Sequence, residues 1–191
     1  MMKRLIDICL SAISLIAFSP LFIICYLVVR LEDGGPVIFK QERIGKNGKP
    51  FYIYKFRSMK IDGERDEYAL FKHGKNENLT ISGRFLRDHH LDELPQLWNV
   101  LIGDMSFIGP RPERKYYIDL IMKEDNRYER LYALRPGITS YATLHNGYTD
   151  TMEKMLIRLE MDLYYLEHHS IWMDTKILFQ TFISIVSGKT I

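Results

Sequence analysis

Hydrophobic positions are distributed unevenly along the chain. Leu5 to Val29 reads LIDICLSAISLIAFSPLFIICYLVV, an apolar run broken by one acidic residue, Asp7, and one proline, Pro20. As a straight helix this run would extend roughly 37 Å, enough to cross a bilayer core. No small-residue cleavage site follows it, which argues against a cleaved signal peptide. Two features oppose a plain span. Pro20 removes a helix hydrogen bond near the middle, and a neighbouring serine, here Ser19, can satisfy the freed carbonyl. Basic residues also flank both ends, Lys3 and Arg4 before, then Arg30, Lys40, Arg43, Lys46 and Lys49 after. The positive-inside rule then places both ends on the cytoplasmic side. The pattern predicts a re-entrant membrane helix over residues 1–32, bent at Ser19-Pro20, and a cytoplasmic-face domain over 33–191.

Beyond the Asp33-Gly34-Gly35-Pro36 turn cluster the periodicity changes. PVIFKQERIG and FYIYKFRSM alternate β-branched and aromatic residues on either side of Asn47-Gly48, which reads as a β-hairpin. Residues 60–80 are polar and predict a surface loop with some helix. A helical stretch begins near Ser82. Leu91, Leu94, Leu97, Trp98 and Leu101 then recur at helical spacing and predict one buried face, with Asp92 and Glu93 opening that helix and Pro95 in its first turn. Gly109-Pro110-Arg111-Pro112 enforces an extended segment. Residues 113–131 predict a charged helix, LRPGITSYATLHNGYTD a loop, and 151–169 and 172–186 two closing helices. The last has a broad apolar stripe suited to a core or a membrane interface. The fold class is α/β: a helix-rich single domain with a small β-hairpin or sheet, the N-terminal re-entrant helix and amphipathic interfacial helices.

Composition narrows the chemistry. A formal net charge of only +2 excludes nucleic-acid binding through a large global charge. Cys9 and Cys25 both sit in the apolar run and form neither a disulfide framework nor a zinc pair. There is no Walker loop and no dinucleotide fingerprint. His89-His90 and His168-His169 are adjacent pairs that do not share a helix face, so neither chelates well. Asp92-Glu93, taken alone, is an ordinary solvated carboxylate pair. Its neighbours change that reading: Arg84 and Arg87 lie just upstream, and Lys55, Arg57 and Arg111 sit near turns or rigid segments. Carboxylates among arginines and lysines suit a magnesium–phosphate site, and an aspartate can itself attack phosphorus. By composition, the GPRP run reads as a structural turn before it reads as a functional one.

Four stretches carry a resemblance to a known family: GGPVIFKQERIGKNGKPFYIYKFRSM, LDELPQLWNVLIGDMSFIGPRP, LRPGIT and DLYYLEHHSIWMDTKILFQT. With the basic start and the Ser19-Pro20 break, the chain resembles the bacterial sugar transferases, small monotopic phosphoglycosyl transferases that start glycan assembly on undecaprenyl phosphate. Its length corresponds to the catalytic core of the larger members. The resemblance implies that Asp92 attacks the sugar-linked phosphate of a UDP-sugar, releasing UMP, and that undecaprenyl phosphate then takes the sugar phosphate from the enzyme. Glu93 completes the dyad and helps Asp92 hold magnesium. Lys55, Arg57, Arg87, Arg111 and Arg135 are the implied phosphate- or substrate-binding residues. The implied partners are a UDP-sugar, undecaprenyl phosphate and membrane lipids, with no nucleic acid and with homodimerisation left open. The implied location is the bacterial inner membrane.

The chain departs from the family after Thr139, where Gly-Trp-Ala-Gln-Val-Asn-Gly becomes Ser140-Tyr141-Ala142-Thr143-Leu144-His145-Asn146-Gly147, so the sugar is not named. A catalytically silent, membrane-anchored scaffold is the competing class. It predicts loss of the dyad or its basic partners, and none is lost. A multi-span polyprenyl transferase needs more apolar segments than the one present.

Overall fold

A computed structural model describes residues 2–60, 78–147, 149 and 151–187. The apolar run forms two helices, α1 (Met2–Ala17) and α2 (Ser19–Asp33), bent by 62° at their junction. The cause is local. Pro20 has no N–H for the Ile16 carbonyl, and the Ser19 hydroxyl donates to that carbonyl instead at 2.8 Å. Among the described residues no single helix is long and apolar enough to cross a membrane, whereas the bent pair together meets that requirement of length and composition.

The hairpin follows as β1 (Ile38–Ile44) and β2 (Pro50–Phe56), antiparallel with Phe39 opposite Lys55. Its turn needs two consecutive left-handed residues, and Asn47 (φ 59°) and Gly48 (φ 69°) supply them. Most of the predicted 60–80 loop, residues 61–77, lies outside the described residues. Helix α3 (Ile81–Asp88) is capped by the Thr80 hydroxyl, which accepts from the Gly83 N–H at 2.9 Å.

The next stretch corrects the expected single helix. Leu91–Glu93 forms a separate 3-10 turn, and helix α4 (Gln96–Ile102) starts only after Pro95. That break shifts the helical phase. Leu97 and Val100 are buried, but Trp98 is 51% exposed. Beyond α4 come β3 (Ser106–Ile108), α5 (Lys115–Glu124), a 3-10 segment (Asn126–Ala133) and β4 (Gly137–Thr139). The helix expected over 113–131 therefore ends early. Asp125 adopts an extended conformation and its carboxylate caps the Arg127 N–H at 2.9 Å, which restarts the chain as 3-10.

Strands β3 and β4 pair in parallel, a small sheet that three-residue strands could not announce by periodicity. Their close approach depends on glycine. A Cβ on Gly137 would fall 2.2 Å from the Gly109 nitrogen, and one on Gly109 would fall 2.1 Å from the Arg135 carbonyl oxygen. The expected loop after β4 contains helix α6 (Tyr141–Asn146), with Ser140 as its cap. Helices α7 (Met152–His168) and α8 (Ile171–Val186) close the described fold. Helices α5 and α7 and the 3-10 segment share one core, built on Tyr117, Ile118, Ile121, Leu131, Met155 and Leu159. Helix α8 buries Ile177 and leaves Trp172, Phe179, Phe182 and Ile183 exposed.

The α1–α2 hairpin is docked onto this domain. Lys3 pairs with Asp174 of α8, and Arg4 donates to the Leu101 carbonyl at the end of α4 at 2.8 Å. Asp7, only 4% exposed, accepts from the Ser106 hydroxyl at 3.1 Å and the Phe107 N–H at 3.2 Å. Lys3 and Arg4, the basic residues that precede the apolar run, are thus also its fasteners. Of the two cysteines in the apolar run, Cys25 is buried and Cys9 is exposed on α1. Asp7→Ala leaves the buried Ser106 hydroxyl and the part-buried Phe107 N–H without this acceptor and is expected to cost about 1–3 kcal/mol. Thermal unfolding in detergent should show this as a lower Tm. Ser11→Ala is the control, because among the described residues the Ser11 hydroxyl bonds only within its own helix, to Ile8, and its loss should leave Tm nearly unchanged.

Candidate active site

The carboxylate pair sits on a sharp reversal. After α3, His90 takes a left-handed conformation (φ 54°), which histidine adopts more readily than most residues. It turns the chain so that Asp92 and Glu93 form their own short turn in front of α4. Asp92 is 7% exposed. Two carboxylates side by side and largely removed from water require nearby positive charge, and separate elements supply it.

Lys55, next to last in β2, forms an ion pair with Glu93. The side chain of Asn99 on α4 sets this alignment. Asn99 is fully buried, donates to the Tyr52 carbonyl at 2.7 Å and accepts from the Tyr54 N–H at 3.1 Å. It completes the β2 edge that β1 does not pair. Arg87 on α3 donates from Nε to the Ser58 hydroxyl at 2.8 Å. This contact exists because α3 lies directly on the Ser58 backbone: a Cβ on Gly83 would fall 2.0 Å from the Ser58 carbonyl oxygen. Arg57 is buried at the end of β2, its N–H bonded to the Val37 carbonyl at 2.9 Å.

Arg111 is exposed, and its segment is pinned from two sides. The Ile44 N–H donates to the Glu113 carbonyl at 3.0 Å, Arg43 donates to the Pro112 carbonyl at 3.1 Å, and the Glu113 carboxylate pairs with Arg158 of α7 at 2.8 Å. The GPRP run is therefore a structural turn that also delivers a cation.

The charges act unequally on the two acids. Burial alone would raise the Glu93 carboxyl, but Lys55 and Arg111 outweigh it and hold the group down at about 2. For Asp92, burial dominates and pushes the carboxyl above its ordinary value, against the opposing pull of Lys55, with the Glu93 charge adding to the rise. Arg87 and His90 also lower it. Among the described residues no hydrogen bond is made to the Asp92 carboxylate oxygens. The result is one acid fixed as an anion beside another that keeps its basicity and its lone pairs.

Lys55, Arg87 and Arg111 thus gather around Asp92-Glu93, joined by His90, whose place here owes nothing to its neighbour His89. Arg135 goes elsewhere. It donates to the Gly103 carbonyl at 2.9 Å, where with Arg4 it satisfies carbonyls at the C-terminal end of α4. Arg84 is exposed on α3. Asn99 and Ser58, both inside motifs, were missed as positioning groups because their roles depend on what packs against them. The altered 140–147 segment packs through α6 on α7 and α8. As to magnesium, no group of three metal-ligating side chains converges among the described residues. The donors are hard carboxylate oxygens, one acid already paired with Lys55. That set fits an ion held by one or two carboxylates together with substrate phosphates, which is the usual magnesium arrangement.

A family model described as bacterial sugar transferase matches residues 1–188. The UDP-N-acetylgalactosamine-undecaprenyl-phosphate N-acetylgalactosaminephosphotransferase of Aeromonas hydrophila is 40% identical over 97% of this chain and 44% of its own length. The UDP-glucose:undecaprenyl-phosphate glucose-1-phosphate transferase of Klebsiella pneumoniae is 42% identical over 94% of the chain and 39% of its own. The exopolysaccharide production protein PSS of Rhizobium leguminosarum bv. phaseoli is 39% identical, covering 98% and 97% respectively. The chain spans about two fifths of the length of the first two relatives.

The support beneath Arg111 contains its own titration. Asp162 lies beside Arg158 in α7, and burial raises its carboxyl from 3.8 to about 7 despite that arginine. Between those values the folded state holds a proton that the unfolded chain has released, so stability falls as pH rises from about 4 to 7 and levels above. Melting from pH 5 to pH 8 should show that decline in the parent protein, and Asp162→Asn should flatten it.

Proposed function

Because the chain belongs to the bacterial sugar transferase family, we propose that it transfers a sugar-1-phosphate from a UDP-sugar to undecaprenyl phosphate, the first step of a glycan assembly. The observation that carries this reading is the unequal pair: Glu93 held ionised by Lys55 and Arg111, and Asp92 more basic with its oxygens unengaged. Such an aspartate suits direct attack on phosphorus. An Asp92 oxygen bonds to the sugar-linked phosphorus, the bridging P–O bond breaks and UMP leaves with the electron pair. A phosphate oxygen of undecaprenyl phosphate then attacks the same phosphorus, and the Asp92 carboxylate is regenerated. Lys55, Arg87 and Arg111 lower the repulsion between an anionic nucleophile and a diphosphate. Magnesium, held by Asp92 and Glu93 with the substrate phosphates, would supply further charge neutralisation. A covalent intermediate lets a soluble donor and a lipid acceptor use one site in turn.

The site is proposed to lie on the cytoplasmic face of the bacterial inner membrane, with α1–α2 entering and leaving the same leaflet. Supporting this are the 62° bend, the outward apolar residues of α1 and α2, and the further exposed large apolar residues Ile81, Phe85, Trp98, Trp172, Phe179 and Phe182. So much uncovered apolar surface calls for a membrane or a partner, and tryptophans suit the interface.

Purified protein in detergent with magnesium and undecaprenyl phosphate should release UMP from one or more members of a UDP-sugar panel. Asp92→Asn should reduce that release on the order of 10³-fold or more. Silence with every donor, from folded protein, would favour the scaffold reading. Because the Asp92 carboxyl is raised and Glu93 titrates near 2, the acid limb of the rate should follow one group above the ordinary aspartate range, with activity lost as pH falls through it. For topology, Met2→Cys and Lys46→Cys in a Cys9→Ser, Cys25→Ser background should both resist an impermeant thiol reagent added to the periplasmic side of intact cells. Reaction at either position would rule out the re-entrant arrangement.

A further inference from the structure

An apolar groove of about 630 Å³ runs between α2 and α3, within the size range of ligand sites. One face of α2 forms a wall through Leu21, Ile24, Val28 and Leu31, and Ile81 and Phe85 of α3 form the other. From Leu21 to Leu31 that wall is about 15 Å long at 1.5 Å per helical residue. Glu32 ties the two helices together, accepting from the Ile81 N–H at 2.7 Å and the Ser82 N–H at 3.2 Å.

The groove and the carboxylate site share their supporting chain. Leu91 lines the groove and directly precedes Asp92. Phe56, between Lys55 and Arg57, and Leu94, directly after Glu93, belong to the apolar cluster beneath it, with Cys25 and Val29 of α2. Two short segments, 55–57 and 91–94, therefore present charged groups to the site and apolar groups to the groove cluster. Continuity of this kind suits an amphiphile with one phosphate head and an apolar tail. We infer that the groove between α2 and α3 holds the first few isoprene units of the polyprenyl phosphate acceptor, so that its phosphate arrives beside Asp92. This rests on the transferase reading for the identity of the acceptor. The length of the groove limits recognition to the near end of the chain, and the remaining units stay in lipid.

Ile24→Trp and Val28→Trp fill the groove from exposed positions of α2. Exchange of labelled UMP into the UDP-sugar needs no acceptor and should stay at the parental rate, which also reports folding. The KM for undecaprenyl phosphate should rise about tenfold or more, while that for a phosphate bearing a single isoprene unit, which fills little of the groove, should rise far less. An unchanged undecaprenyl KM, or an equal rise for both acceptors, overturns the inference. A second arm is independent of catalysis: undecaprenyl phosphate with a diazirine in its first isoprene units, added to the full chain in phosphatidylethanolamine–phosphatidylglycerol nanodiscs. It should label peptides spanning 24–31 and 81–86, and unlabelled undecaprenyl phosphate should compete. Competition by added phosphatidylglycerol instead, or labelling confined to α8, would mean that ordinary lipid fills the groove and the inference is wrong. Absence of UMP exchange in the parent protein would remove the proposed chemistry but leave this labelling result to decide the groove.

Discussion

Two adjacent carboxylates held largely out of water impose the main constraint on this structure. Each such group costs several kcal/mol unless compensated, and Asp92 and Glu93 are neighbours, so their charges also oppose one another. The fold answers with cations from separate places: Lys55 from the hairpin, Arg87 from α3 and Arg111 from the rigid segment after β3. The compensation is uneven. Lys55 and Arg111 favour Glu93, and Asp92 is left with the larger effect of burial. That asymmetry sets the two acids apart: one is matched by its cations and the other is not.

Neutral contacts, more than the ion pairs, fix these positions. The Asn99 amide completes an unpaired strand edge and thereby sets α4, and the turn before it, against β2. Gly83 permits α3 to rest on the Ser58 backbone, and Ser58 in turn orients Arg87. The Ile44 N–H, donating to the Glu113 carbonyl, holds the Arg111 segment against β1. Directional hydrogen bonds and close backbone contact specify geometry in a way that long, flexible cation side chains cannot.

The apolar α1–α2 hairpin is part of the same construction. Lys3, Arg4 and Asp7 tie α1 to α8, α4 and β3, and α2 shares a core with the strand that carries Lys55. Movement of the hairpin would therefore be felt at the dyad through Phe56, Leu91 and Leu94.

Local rules in the sequence determined a good part of this. A proline beside a serine determined the bend, Asn47-Gly48 the hairpin turn, and Arg87 a few residues before Asp92-Glu93 one of the cations near that pair. Each depends on neighbours within a few residues. Only the tertiary structure decided that Arg135 caps a helix end while Arg111 faces the acids, that His90 joins the site, that Trp98 points outward, and that Asn99 and Ser58 are fasteners. The same holds for the β3–β4 pair, whose three-residue strands have no readable period and exist because Gly109 and Gly137 let two backbones approach. The physical reason is common to all of these: side-chain direction and charge partnership depend on helix phase and on what packs from distant sequence, and a one-residue change in where a helix begins reassigns every face after it.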